Sequence, residues 1–164
     1  FIRSCWLLLI IKLIFNFYLS MTVALNSPSY DPCNDYVSLD QPWRANNATG
    51  LGICDMNFNW NGWYRLLYNG MDIRMAESCV DVYRCGTFYT LWLNGPHPQI
   101  EDGVVTRLVC ANAGSDCCFF RSNPIQVKAC PGNFFVYEIV SPMFCNMAYC
   151  TGMTFILNIF FISF

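Results

Sequence analysis

Ten cysteines between residues 31 and 151 constrain this chain more than any other feature of its sequence. They are Cys33, Cys54, Cys79, Cys85, Cys110, Cys117, Cys118, Cys130, Cys145 and Cys150, and an eleventh, Cys5, stands apart in an apolar N-terminal run. An even number within one compact stretch fits five disulfides, with Cys5 left over. Bridges of this kind form and persist in oxidising compartments, which puts the chain outside the cytosol. The segment "GSDCCFF" sets Cys117 directly beside Cys118. A bridge between sequence neighbours closes a strained ring, so separate partners are expected. On a strand, successive side chains point to opposite faces, and the pair would then reach two different elements. The competing reading makes Cys117 and Cys118 a zinc site or a working thiol couple. Both chemistries favour CxxC spacing. None occurs here; the nearest spacings are Cys79 to Cys85 and Cys145 to Cys150.

The 164 residues leave room for one domain with short appendages. Nine basic against eleven acidic side chains, a net charge of -2, give no basic footprint, so nucleic acid is not expected as a partner. Both ends are apolar. Residues 1–25 carry Arg3 ahead of an apolar stretch and the small-residue run Thr22-Val23-Ala24 near their end, as a secretory signal does. Lys12 interrupts that stretch. Residues 6–25 are also long enough for a membrane anchor, which takes about 20 apolar residues. A third reading is translated non-coding sequence, since Phe, Ile, Leu, Lys, Asn and Tyr dominate this stretch. Residues 152–164 are too short to span a bilayer and read as a fragment end. The functional unit is therefore expected at residues 30–151, one piece of a larger secreted or surface protein.

Within that unit short runs rich in Val, Ile, Tyr, Phe and Trp alternate with Gly, Pro, Asn and Asp: "GWYRLLY", "TFYTLWL", "GVVTRLVCA", "CCFFR", "PIQVKAC" and "NFFVYEIV". This pattern predicts a β-rich fold, mainly antiparallel with short helices, small and stabilised by disulfides. In "RMAESCVDVYRC" a short helix competes with an irregular turn. Aromatic residues make up 17% of the chain, enough to supply a core, with Trp63, Tyr64 and Trp92 in or near it.

Catalytic and metal chemistry find little to work with. His97 in "NGPHP" is the sole histidine, and no GxSxG or HExxH motif accompanies it, so a local packing or hydrogen-bonding role is expected. Asp72, Glu77, Glu101 and Asp102 read as solvated loop charges, since nothing sets two of them across a cleft. Asn57, Asn59, Asn61 and Gly62 follow the spacing of a calcium loop, but position 12 falls on Tyr68, where a bidentate Glu is required. No catalytic residue, metal or cofactor is expected. One glycosylation sequon stands, Asn47-Ala48-Thr49 in a polar loop; Asn94-Gly95-Pro96 is not one, because Pro takes its third place.

Taken in order, "DPCNDYVSLDQPWR", "CDMNFNWNGWYRL", "RMAESCVDVYRCGTFYTLWLNGPHP", "DGVVTRLVCANAGSDCCFF" and "IQVKACPGNFFVYEIVSPMFCNMAYCT" resemble the uromodulin-type cysteine-rich extracellular domain across residues 31–151. The resemblance implies a β-rich, non-catalytic module of secreted or membrane-anchored glycoproteins. It also implies the pairs Cys33 with Cys130, Cys54 with Cys145, Cys79 with Cys117, Cys85 with Cys150, and Cys110 with Cys118, a connectivity that composition cannot select. In mucosal members a glycan on this domain baits bacterial adhesins. This chain departs from that pattern at both family sequons: Pro96 breaks the one in "WLNG.HP", and Glu138-Ile139-Val140 replaces the one after "FVY". The expected function is adhesion or recognition, with Asn47 as glycan carrier and an extracellular protein or cell-surface ligand as partner.

Overall fold

The computed structural model describes residues 11–15 and 30–152. The chain divides into two units, residues 1–31 and 32–164. In the first, residues 11–15 are helical and exposed. Among the described residues no helix is long and apolar enough to cross a membrane. The readings of residues 1–25 and 153–164 otherwise lie outside the described residues, as does Cys5.

The second unit is built on strands β1 (Val37–Asp40), β2 (Tyr64–Tyr68), β3 (Met71–Asp72), β4 (Arg74–Met75), β5 (Tyr89–Asn94), β6 (Val104–Asn112), β7 (Phe120–Cys130), β8 (Phe134–Glu138), β9 (Met147–Tyr149) and β10 (Thr151–Gly152). One sheet runs in the order β1-β2-β8-β7-β6-β5-β9, with β3 beside β2, and β4 pairs with β10 in a second, two-stranded sheet. The domain is mainly β, as the alternating runs predict, and among the described residues of this unit the helical content is three short 3₁₀ turns. The central ladder β2-β8-β7-β6-β5 is antiparallel throughout. Both ends of the large sheet are parallel instead: β1 on β2, and β9 on β5. Parallel neighbours need long connections, and the residues between β1 and β2 supply one, carrying the 3₁₀ turns Pro42–Arg44 and Asp55–Asn57.

The core gathers on one side of this sheet around Leu66, Leu91, Leu93, Val109, Ile125, Val127, Tyr137 and Tyr149. Full burial of such a side chain stabilises the fold by roughly 1.5–3 kcal/mol. In β6 exposed and half-buried residues alternate from Val104 to Leu108, and then Val109 to Asn112 are all buried. That second half is therefore covered on both faces.

Several elements differ from the sequence reading. "CCFFR" and "PIQVKAC" do not form separate strands; β7 runs unbroken through both from Phe120. Pro124, which reads as a strand breaker, sits where the β6–β7 register shifts, since Arg107 faces Ile125 and Val109 faces Ser122. Bulges are where a strand tolerates proline, because no ladder hydrogen bond is lost there. Cys117 and Cys118 lie in the turn before β7 rather than on a strand, and the Cys118 backbone N–H donates to Asp116 Oδ1 at 2.8 Å. In "RMAESCVDVYRC" the irregular turn prevails over the helix, with Tyr83 and Cys85 both at positive φ (62° and 54°).

At Tyr149 the outer edge of β9 is capped by side chains. Tyr149 N–H donates to Asp55 Oδ2 at 2.8 Å, and Tyr149 C=O accepts from Arg44 Nη1 at 3.1 Å. Arg44 and Asp55 are joined to each other by two hydrogen bonds of 2.6 and 2.8 Å, both side chains being about 2% exposed. The ion pair thus occupies the place of a neighbouring strand and blunts an edge that would otherwise invite pairing with another chain.

Candidate functional site

Five disulfides set the frame: Cys33–Cys130, Cys54–Cys145, Cys79–Cys117, Cys85–Cys150 and Cys110–Cys118. The adjacent Cys117 and Cys118 turn to different elements. Cys117 is tied to the segment after β4, and Cys118 to β6. The Cys85–Cys150 bridge brings the irregular segment against the stretch between β9 and β10, and Trp92 donates its indole N–H to Cys117 C=O at 2.8 Å. Trp63 and Tyr64 are buried, and Trp92 is half-buried. Among the described residues no group of three His, Cys, Asp or Glu side chains could hold a metal ion.

His97 is drawn into a polar chain. Its ring Nδ1 meets the Glu77 carboxylate, its backbone N–H donates to the same oxygen at 2.7 Å, and its Nε2 lies 2.7 Å from Tyr137 Oη. Tyr137 Oη in turn accepts the Met75 backbone N–H at 3.0 Å. A single proton arrangement satisfies every partner. Tyr137 donates to Nε2, and Nδ1–H donates to Glu77, so His97 is the neutral Nδ1–H tautomer. Burial holds the imidazole below its ordinary value and outweighs the pull of Glu77. For Glu77 burial alone would raise the carboxyl, but the two hydrogen bonds from His97, with the charge of Arg74, bring it below the usual carboxylate range. Burial raises the Tyr137 hydroxyl well above the ordinary phenol.

Carboxylate, imidazole and hydroxyl in line have the order of a nucleophilic triad. The geometry denies that use, because Tyr137 is 0% exposed and its hydroxyl reaches no substrate. The chain is a lock that ties the "NGPHP" turn to β8 and to the residues after β4. Glu77 and Asp72, read from the sequence as solvated charges, are both paired. Asp72 takes two hydrogen bonds of 2.6 and 2.7 Å from Arg65, which raise that guanidinium's pKa further. Glu101 and Asp102 are exposed, and Asp102 caps its own 3₁₀ turn. In the calcium-like segment Asn57 falls in a 3₁₀ turn, and Tyr68 occupies the last strand position of β2.

The sequon lies on a tight turn in which Ala48 N–H donates to Ala45 C=O at 2.9 Å. Asn47 and Thr49 are exposed. Two depressions flank the lock. One, of about 340 Å³, is lined by residues including Arg74, Glu77, His97, Gln99, Asn133 and Phe135. The other, of about 230 Å³, is lined by residues including Asn46, Arg74, Glu77, Ser78 and Gly152.

The uromodulin-like domain family matches residues 64–151. The chain belongs to this family. The matched stretch of the uromodulin-like domain holds Cys79, Cys85, Cys110, Cys117, Cys118, Cys130, Cys145 and Cys150, and the two remaining partners, Cys33 and Cys54, precede it and bridge into it. The chain is 44% identical over 128 residues to the pancreatic secretory granule membrane major glycoprotein GP2 of Canis lupus familiaris, covering 77% of this chain and 24% of that protein. It is 47% identical over 121 residues to uromodulin of Rattus norvegicus, covering 74% of this chain and 18% of the relative. The chain thus spans a quarter or less of the length of these relatives. With five disulfides and this membership, the uromodulin-like domain is secreted or lies on the extracellular side of the membrane.

Two features of the site had no signal in the sequence. The pair Arg44 and Asp55 is eleven residues apart in loops, with neither helical nor strand periodicity to align it. Arg74 enters the site only because β4 pairs with β10, and a two-residue strand is too short to read from pattern.

Proposed function

We propose that residues 30–151 form a non-catalytic extracellular module for adhesion or recognition within a larger secreted or surface glycoprotein, and that Asn47 carries its glycan. The observation that supports this reading is the sealing of its reactive groups. Ten cysteines are spent on bridges, and the histidine is locked between Glu77 and the buried Tyr137. The name of one relative, a secretory granule membrane major glycoprotein, agrees with an exported, glycosylated module. Asn94 and Glu138 are both exposed, so the loss of the family sequons there removes glycans without disturbing the core. Recognition by carbohydrate then falls to Asn47.

The test is the intact mass of the protein secreted from cultured cells, alkylated with and without prior reduction, and with and without enzymatic release of N-glycans. No adduct on residues 30–151 before reduction, ten after it, and a glycan abolished by Asn47→Gln are expected. Two or more adducts before reduction in folded protein would replace this reading with a thiol at Cys117 or Cys118. Glycan-reading bacterial adhesins, which bind a glycan on mucosal members of the family, are then titrated against the protein and against Asn47→Gln. Equal binding by both would exclude a carbohydrate route.

A further inference from the structure

The two depressions share Arg74 and Glu77 in their walls, and the smaller one is also walled by Asn46, the residue before the sequon asparagine. We infer that this groove is a saccharide cradle, and that its occupant is the core of the glycan on Asn47, folded back onto its own domain. The inference rests on the glycosylation proposed above.

Three features favour a sugar. Arg74 is half-buried and lines both depressions, and its guanidinium carbon sits 5.7 Å from the Phe135 ring centre. A guanidinium offers only donors and a carboxylate only acceptors. Arg74 and Glu77 side by side therefore present the two complements that a sugar needs, because each hydroxyl both donates and accepts. Glu77 keeps accepting capacity beyond its bonds from His97, because both of those bonds fall on Oε1 while the side chain is 38% exposed. The larger depression adds the side-chain amides of Gln99 and Asn133 and the half-buried ring of Phe135, an apolar surface against which a pyranose can lie. Its volume of about 340 Å³ lies at the small end of ligand sites, which run from roughly 300 to 1,000 Å³.

The attachment point favours this glycan over a free one. Consecutive Cα atoms are about 3.8 Å apart, so a sugar on Asn47 starts one residue from a wall of the groove. Tethering converts docking into an intramolecular event at high effective concentration, and weak contacts then suffice. The turn that presents Asn47 is itself anchored, with Asn46 N–H donating to Thr151 C=O at 2.9 Å and Arg84 Nη1 donating to Asn47 C=O at 3.3 Å. The attachment point is therefore held in place relative to the groove.

The experiment uses the secreted, glycosylated protein labelled with nitrogen-15. The Arg74 Nε–H and Ser78 amide resonances are followed before and after enzymatic release of the glycan beyond its first N-acetylglucosamine, which leaves Asn47 uncharged, with intact mass reporting occupancy. Both resonances are expected to move on release, and the glycan is expected to be released roughly fivefold faster from Arg74→Ala than from the unaltered protein, the factor set by losing about one hydrogen bond. Arg74→Lys, which keeps the charge but loses the fork, should fall between them. If Arg74→Ala fails to fold, the resonance shifts in the unaltered protein decide alone. An occupied Asn47 with unmoved resonances and equal release rates overturns the cradle and leaves the glycosylation standing. An unoccupied Asn47 overturns both.

Discussion

His97 and Glu77 make the stability of this domain depend on pH in one direction. The folded state holds the imidazole below its ordinary value near 6.5, so the unfolded chain binds that proton more readily. The stability this group contributes is complete above pH 6.5 and is lost as pH falls through the folded value. Glu77, held below its ordinary 4.5, acts in the same sense at lower pH. The urea midpoint is expected to drop between pH 7 and pH 5, and in His97→Gln the curve should be flatter over that interval. A midpoint that rises on acidification would show that His97 is held charged. The buried pair Arg44–Asp55 gives a larger effect. All the guanidinium nitrogens of Arg44 are engaged, by Gln41, Asp55 and Tyr149, and the side chain lies against Trp43. Asp55→Ala strands that cation inside the protein and should cost about 3–5 kcal/mol in denaturant unfolding. A loss below about 1 kcal/mol would mean that the guanidinium finds water.

At the scale of elements, the long strands were legible and the short ones were not. β2, β5, β6 and β8 follow from runs of β-branched and aromatic residues with turn residues between them. β3, β4 and β10 are two residues each, below the length at which alternation carries a signal. β9 contains Ala148 and lies after a loop, and its place depends on β5 on one side and on the Arg44–Asp55 pair on the other. Those partners are distant in sequence, so no local pattern reveals them. The same holds for the site. The sequon and His97 can be read directly, whereas the groove exists only once β4 and the "NGPHP" turn have been brought together. Bridges between elements differ in what they constrain. Cys110–Cys118 closes a separation of 8 residues and Cys33–Cys130 one of 97. On the chain-entropy account, replacing both cysteines of a bridge by alanine costs about 2.5 kcal/mol for the first and about 4.7 kcal/mol for the second. Equilibrium unfolding of the two double variants checks the order, and equal costs would show that native packing rather than loop entropy dominates.

Across the whole molecule the bridges are not equally guarded, and this sets the order in which the domain comes apart under reduction. Thiol exchange needs an attacking thiolate to reach a sulfur, so access governs the rate. Cys117 is exposed and Cys79 half-buried, in the turn before β7 and the irregular segment after β4. Cys85 and Cys150 are both 0% exposed and pack with Ala76 and Val80 beneath the half-buried Trp92. Cys54 and Cys145 lie between these extremes, both half-buried. With limiting reductant at neutral pH, followed by alkylation and peptide mapping, label is expected first at Cys79 and Cys117 and last at Cys85 and Cys150. Because the last bridge joins the irregular segment to the stretch just after β9, its loss should coincide with global unfolding, seen as the loss of near-ultraviolet circular dichroism. Early labelling of Cys85 and Cys150 in protein that keeps that signal would mean that this corner opens locally without the rest. The frame would then be several independently breathing parts rather than one cooperative unit.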